Sequence, residues 1–96
     1  MTLPIATIAD VRQAEVAIRP YFSPAPLIRS YPLERALSLS PNRRVWLKDY
    51  GWTPSGSFKL MGALNWMARN LERIGDRPVA AHSSGNFASG ISFGAP

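Results

Sequence analysis

Ser55-Gly56-Ser57-Phe58-Lys59-Leu60-Met61-Gly62-Ala63 places a lysine at the mouth of an amphipathic stretch, just after a glycine-containing turn. From there the apolar residues fall at Leu60, Leu64, Met67, Leu71 and Ile74, and Asn65, Arg69, Asn70, Glu72 and Arg73 lie largely between them. Steps of three and four mark one buried face of a helix. Gly75 follows the last apolar position and suits a positive-φ helix stop. The stretch therefore predicts a helix of about four turns with Lys59 in its first turn. Cations are commoner at the other end, because the positive end of the helix dipole repels an ammonium. The same repulsion favours the neutral, nucleophilic amine if the lysine is partly buried. The plain alternative is an ordinary exposed lysine.

Working outward, Val79-Ala80-Ala81-His82 reads as a short buried strand, followed by the polar turn Ser83-Ser84-Gly85-Asn86 and a further helical pattern running to Pro96. Upstream, Arg44 to Asp49 alternates Val45 and Leu47 with Trp46 and Lys48, as a strand does. Strand, helix, strand and helix start make a βαβ unit, whose strands are expected to be parallel with a right-handed crossover. The predicted fold class is α/β, a partial three-layer open parallel sheet. Ligands of such sheets bind beyond the carboxyl ends of the strands. The loops 50–58 and 83–86 both lie at that edge and are expected to face one site. Nearer the N-terminus, a helix from Ala9 carries Val11, Ala14, Ala17 and Ile18 and ends at Pro20. Leu27-Ile28-Arg29 reads as a short strand and Ser30 to Leu39 as a short helix.

Composition narrows the function classes. Ninety-six residues make one small domain at most. The apolar fraction of 46% against 18% charged is that of a globular chain. No apolar run is long enough to span a bilayer, and the first residues lack the features of a signal peptide. The absence of cysteine excludes disulfides and thiol nucleophiles and fits a cytoplasmic protein. The net charge of +5 is scattered, with Arg43-Arg44 the only adjacent basic pair, so neither nucleic acid nor membrane is expected as a partner. A small anionic ligand gains from the same charge.

The backbone N–H groups and hydroxyls of Ser83-Ser84-Gly85-Asn86 would form a corner for a carboxylate or phosphate. The alternative is simply a well-capped helix start. The run is not a phosphate-binding Walker loop, nor is it a dinucleotide fingerprint, since only Gly85 and Gly90 are present. His82 is the only histidine and reads more readily as a packed side chain than as a base. Trp46, Trp52 and Trp66 read as core or loop packing. No paired carboxylates and no serine–histidine–aspartate set can be assembled.

Ser55 to Ala63, followed at the next strand end by Ser83-Ser84-Gly85-Asn86, resembles the fold-type II pyridoxal-phosphate enzymes. That family includes threonine/serine dehydratase, serine racemase, threonine synthase, cysteine synthase and the tryptophan synthase β subunit. Ala25-Pro26-Leu27 and Leu47-Lys48-Asp49 are similar to two further family motifs, and the resemblance runs from about residue 8 to residue 93. It implies that Lys59 forms the Schiff base with pyridoxal phosphate and moves the substrate Cα proton. Phe58 would pack beside the cofactor ring and Asn86 would hydrogen-bond the ring hydroxyl. Ser83, Ser84 and Gly85 would hold the substrate carboxylate, and Ser84 is the acid/base position in racemase members. A threonine/serine dehydratase-like lyase acting on a small amino acid is the leading reading, in a parent expected to be a homo-oligomer. The alternative is an inactive remnant or a small anion-binding module.

The departures from the family pattern are Ala25 for threonine, Phe87 for histidine, Ser89 for glutamine, and one extra residue between Asp49 and Lys59. The family's glycine-rich phosphate loop and its partner for the pyridine nitrogen lie farther downstream than Pro96. Residues 1–96 are accordingly expected to be the N-terminal fragment of a cofactor-binding catalytic domain. On its own such a fragment is expected to retain cofactor weakly and to be aggregation-prone.

Overall fold

The computed structural model describes residues 3–95 and contains four helices and two short strands among them. Helix α1 (Ile8–Ile18) starts at a capping box. The Thr7 side chain accepts from the Asp10 N–H, and the Asp10 carboxylate accepts from the Thr7 N–H at 2.7 Å. Strand β1 (Leu27–Arg29) leads into α2 (Tyr31–Ala36), which is capped by buried Ser30 and carries a proline in its first turn. Strand β2 (Trp46–Lys48) follows. Helix α3 (Lys59–Ile74) ends at Gly75 with φ +54°, and α4 (Asn86–Gly94) closes the described chain.

Strands β1 and β2 pair antiparallel, with Leu27 opposite Lys48, Ile28 opposite Leu47 and Arg29 opposite Trp46. Ser30 N–H to the Val45 carbonyl and Asp49 N–H to the Pro26 carbonyl, each 2.9 Å, extend the ladder by one bond at either end. Glu34 locks α2 to it. Its carboxylate accepts two hydrogen bonds from the Arg29 guanidinium and one from the Val45 N–H, all at 2.9 Å.

The α/β class is present, but the expected parallel βαβ unit is not formed among the described residues. Residues 79–82 form no strand and pair with no neighbour among the described residues, and only Val79 of them is half-buried. A strand is defined by its neighbour's hydrogen bonds, and here the apolar run 79–81 has no sheet beside it. His82 is exposed rather than packed, for the same reason. Trp46, Trp52 and Trp66 also remain more than two-fifths exposed. Trp52 nevertheless meets the Phe22 ring edge-on at 6.0 Å.

The core lies around α3. Phe22, Leu60 and Leu64 form one buried cluster with Ile18 and Met61 against it. Ala63, Met67 and Ile91 form a second, flanked by Ile74 and Val79. The expected apolar face of α3 is therefore the buried one, except that Leu71 at its far end stays exposed. Helix α4 packs on α3 through glycine. A Cβ placed on Gly90 would lie 3.0 Å from Ala63 Cβ and 3.3 Å from Leu60 Cα. One placed on Gly94 would lie 3.2 Å from Leu64 Cδ2. These contacts advance along both helices in the same sense, so α3 and α4 run in the same direction and begin at the same end of the molecule.

Candidate functional site

Lys59 is the first residue of α3, and Asn86 is the first residue of α4. Gly90, one turn into α4, touches Leu60, the neighbour of Lys59. The turn that delivers the lysine and the turn 83–86 thus open at a common end. A parallel sheet was the expected route between them, whereas a pair of co-directional helices brings them together.

The lysine turn is tied from within. Thr53 is buried, and all its hydrogen-bonding groups in the loop are used. Its N–H donates to the Tyr50 carbonyl at 3.2 Å and its carbonyl accepts from the Gly56 N–H at 2.8 Å. Its hydroxyl accepts from the Ser57 N–H at 3.1 Å and donates to the Ser57 carbonyl at 3.2 Å. Ser57 Oγ in turn accepts from the Lys59 N–H at 3.1 Å. Below the loop, Phe22 joins Trp52 to Phe93 of α4, with the Phe22 and Phe93 ring centroids 5.9 Å apart. Neither Thr53 nor Phe22 stood out in the sequence. The only signal for Thr53 is the proline after it, which disfavours helical backbone there, and the four-residue step to Ser57 gains meaning only once the loop is closed.

Lys59 and Phe58 are both exposed, Phe58 to 62%, and Lys59 Nζ lies 5.1 Å from the Phe58 ring centroid. The amine thus stands over an aromatic face within cation–π reach. It is accessible to a carbonyl compound from solvent rather than partly buried.

The turn 83–86 differs from a well-capped helix start. No side chain caps α4, whose N-cap is Gly85. Ser83 Oγ accepts from the Gly85 N–H at 3.1 Å and so closes the turn itself. Ser84 and Asn86 are exposed. Gly85 adopts φ +156°, ψ −81°, which side-chain-bearing residues rarely adopt, and a Cβ there would meet nothing within 4 Å. The first-turn N–H groups of α4 have no capping side chain, and an anion placed there gains both hydrogen bonds and the helix dipole.

The clefts elsewhere do not include these residues. One of about 320 Å³ lies beside the C-terminal half of α3, lined by Trp66, Asn70, Arg73 and Val79 among others. A second of about 350 Å³ lies between α1, Phe22, Lys48 and Met61. The chemistry-bearing groups stand instead on the open end of the α3–α4 pair. No helix among the described residues is long and apolar enough to cross a membrane, and no group of three or more histidine, cysteine or acidic residues there could hold a metal.

L-threonine dehydratase catabolic TdcB of Staphylococcus aureus strain USA300 is 30% identical over 92 residues, covering 96% of this chain and 26% of that protein. The same protein of strain COL matches with the same identity and coverage. The chain thus spans about a quarter of the length of the curated relatives it matches. No solved structure matches. The model of the pyridoxal-phosphate dependent enzymes matches residues 18–95, a span that takes in the lysine turn, the α3–α4 pair and the open serine–glycine–asparagine corner. With most of its length inside that match, the chain belongs to the pyridoxal-phosphate dependent enzyme family, whose cofactor is pyridoxal phosphate.

Proposed function

We propose that this chain provides the lysine-bearing half of the cofactor site of a threonine/serine dehydratase-like lyase. The observation that carries the reading is the common end shared by Lys59 and the open α4 N-terminus, set by the Gly90–Leu60 contact. The similarity to L-threonine dehydratase supports the choice of reaction class.

The residues present fit pyridoxal phosphate. Lys59 offers an exposed primary amine to the aldehyde, and the uncapped N–H groups after Gly85 offer a seat for a carboxylate. When bound, the cofactor acts as the electron sink for cleavage at the substrate Cα. The chain's own residues then have separable tasks. Lys59 Nζ anchors the cofactor and afterwards accepts the Cα proton. Ser84 and the first-turn N–H groups after Gly85 hold the substrate carboxylate, while the Ser83 hydroxyl, accepting from the Gly85 N–H, keeps the turn closed. Asn86 would hydrogen-bond the ring hydroxyl, and Phe58 would supply an aromatic wall. In this reading the fold completes as an open parallel sheet of the fold-type II kind in the longer parent, in which residues 79–82 gain a neighbouring strand.

The exposure of Lys59 and Phe58 favours a second reading, an anion-binding module without turnover. Incubating the chain with pyridoxal phosphate, reducing with borohydride and mapping the modified peptides separates the two. The expected result is modification concentrated at Lys59 and lost in Lys59→Ala. Equal modification of Lys48, Lys59 and the N-terminal amine would refute the cofactor-site reading and leave the anion-binding one.

A further inference from the structure

We infer that Thr53 is the positioning residue of the lysine turn, aiming Lys59 through a two-step hydrogen-bond chain. This inference deepens the proposed function and rests on it for the role of Lys59. The first step is the reciprocal pair between the Thr53 hydroxyl and the Ser57 backbone, 3.1 Å and 3.2 Å. The second is the Ser57 Oγ contact with the Lys59 N–H at 3.1 Å, which fixes where α3 begins.

The geometry assigns this work to Thr53 rather than to the glycine or the serines around it. Thr53 is the buried residue of the loop, 5% exposed, whereas Gly56 is exposed and has open space around it. Ser55 Oγ is buried with no partner and so holds nothing. Helix α3 has no side-chain cap from its N-cap residue Phe58, and its start depends on Ser57. Ser57 in turn is held on both its N–H and its carbonyl by one hydroxyl. Removing that hydroxyl frees two backbone groups two residues before the reactive amine. A loop so loosened spreads the position of Lys59 Nζ relative to the α4 corner, and small displacements of a reacting group are costly.

Two variants of the full chain test this. Thr53→Val keeps the β-branched shape and removes the oxygen, and Thr53→Ser keeps the oxygen and removes the methyl. Amide hydrogen exchange is the first readout and needs no cofactor. Thr53→Val is expected to speed exchange at Ser57 and Lys59 about five- to tenfold, the factor carried by one net hydrogen bond. The Gly56 N–H, bonded to the Thr53 backbone carbonyl, should hold its rate and serves as the control for general loosening. Thr53→Ser should restore the wild-type pattern. The second readout is the ratio of Lys59 to Lys48 modification by pyridoxal phosphate and borohydride, expected to fall by a similar factor in Thr53→Val and to recover in Thr53→Ser. Unchanged exchange at Ser57 and Lys59 in Thr53→Val overturns the inference. So does equal acceleration at Gly56, which marks a merely structural role, and so does an unchanged modification ratio despite faster exchange. If the wild type itself modifies Lys59 no faster than Lys48, the functional reading fails, and the exchange pattern alone still decides whether Thr53 holds the turn.

Discussion

Glu34 is the residue with the most demanding surroundings in this chain. The Arg29 guanidinium, followed by the Val45 N–H, holds its carboxyl down from the usual 4.5 to about 2. All three hydrogen bonds favour the charged form, and partial burial opposes it more weakly. Because the folded-state pKa is the lower one, the unfolded chain takes up protons first as the solution is acidified. The stabilisation is therefore complete above about pH 4.5 and disappears as the pH falls towards about 2. Thermal melts of the wild type should lose stability across that interval, and Glu34→Gln should be less stable at neutral pH and flatter through the acid range. An identical acid slope in the variant would mean that other carboxylates set it. Lys59 shows the opposite situation, a chemically important residue with almost nothing around it. Its motif was legible because the cue is local: a turn, a lysine and an apolar period in one run of sequence. Thr53 was not, because its value lies in a loop closure that residue types alone do not specify. Glu34 was likewise hidden, since its partner Val45 is eleven positions away.

At the level of elements, α3 was readable in full because its period, its glycine turn and its glycine stop are written in consecutive residues. The strand expected at 79–82 was not borne out among the described residues, since hydrophobicity can announce a strand but cannot supply the neighbour it pairs with. The packing of α4 on α3 was not legible either, since a glycine in a helical pattern looks like a weakness until its contact is known. Two substitutions of the same kind separate these cases. Gly62 lies in α3 with nothing within 4 Å of where a Cβ would sit, so Gly62→Ala should stabilise by roughly 0.5–1 kcal/mol through helix propensity. Gly90 lies in α4 against Ala63 and the Leu60 backbone, and Gly90→Ala gains the same propensity but must push the helices apart. Overpacking of this sort costs roughly 1–3 kcal/mol, so the net effect should be destabilising. Denaturant midpoints of the two variants measure the difference. If Gly90→Ala were stabilised like Gly62→Ala, the α3–α4 contact would be looser than the one that brings the two turns together.

At the scale of the molecule, the chain is long for its size, with extents of 55 × 29 × 28 Å and a radius of gyration of 17.1 Å. A compact domain of about 100 residues has about 13 Å. The excess goes with apolar surface left uncovered. The antiparallel pair exposes Trp46 and Leu47 on opposite faces, and Ile8, Val11 and Val16 are exposed along α1. Among the described residues, full burial is confined to a handful of side chains around Leu60 and Met67. The heat-capacity change of unfolding reports the apolar area that unfolding newly exposes, and a well-buried domain of this size gives about 1.2–1.5 kcal/mol/K. This chain has much of that area exposed before it unfolds, so its value should fall clearly below that range, with a broad transition. The same surface should bind a hydrophobic dye such as ANS in the native state and drive concentration-dependent association. Calorimetry at several protein concentrations, with dye binding alongside, checks both. A sharp, concentration-independent melt with a normal heat-capacity change and no dye binding would mean that the exposed faces of α1 and the β1–β2 pair are covered in solution. The open end of α3 and α4 would then have to be sought within a more compact arrangement.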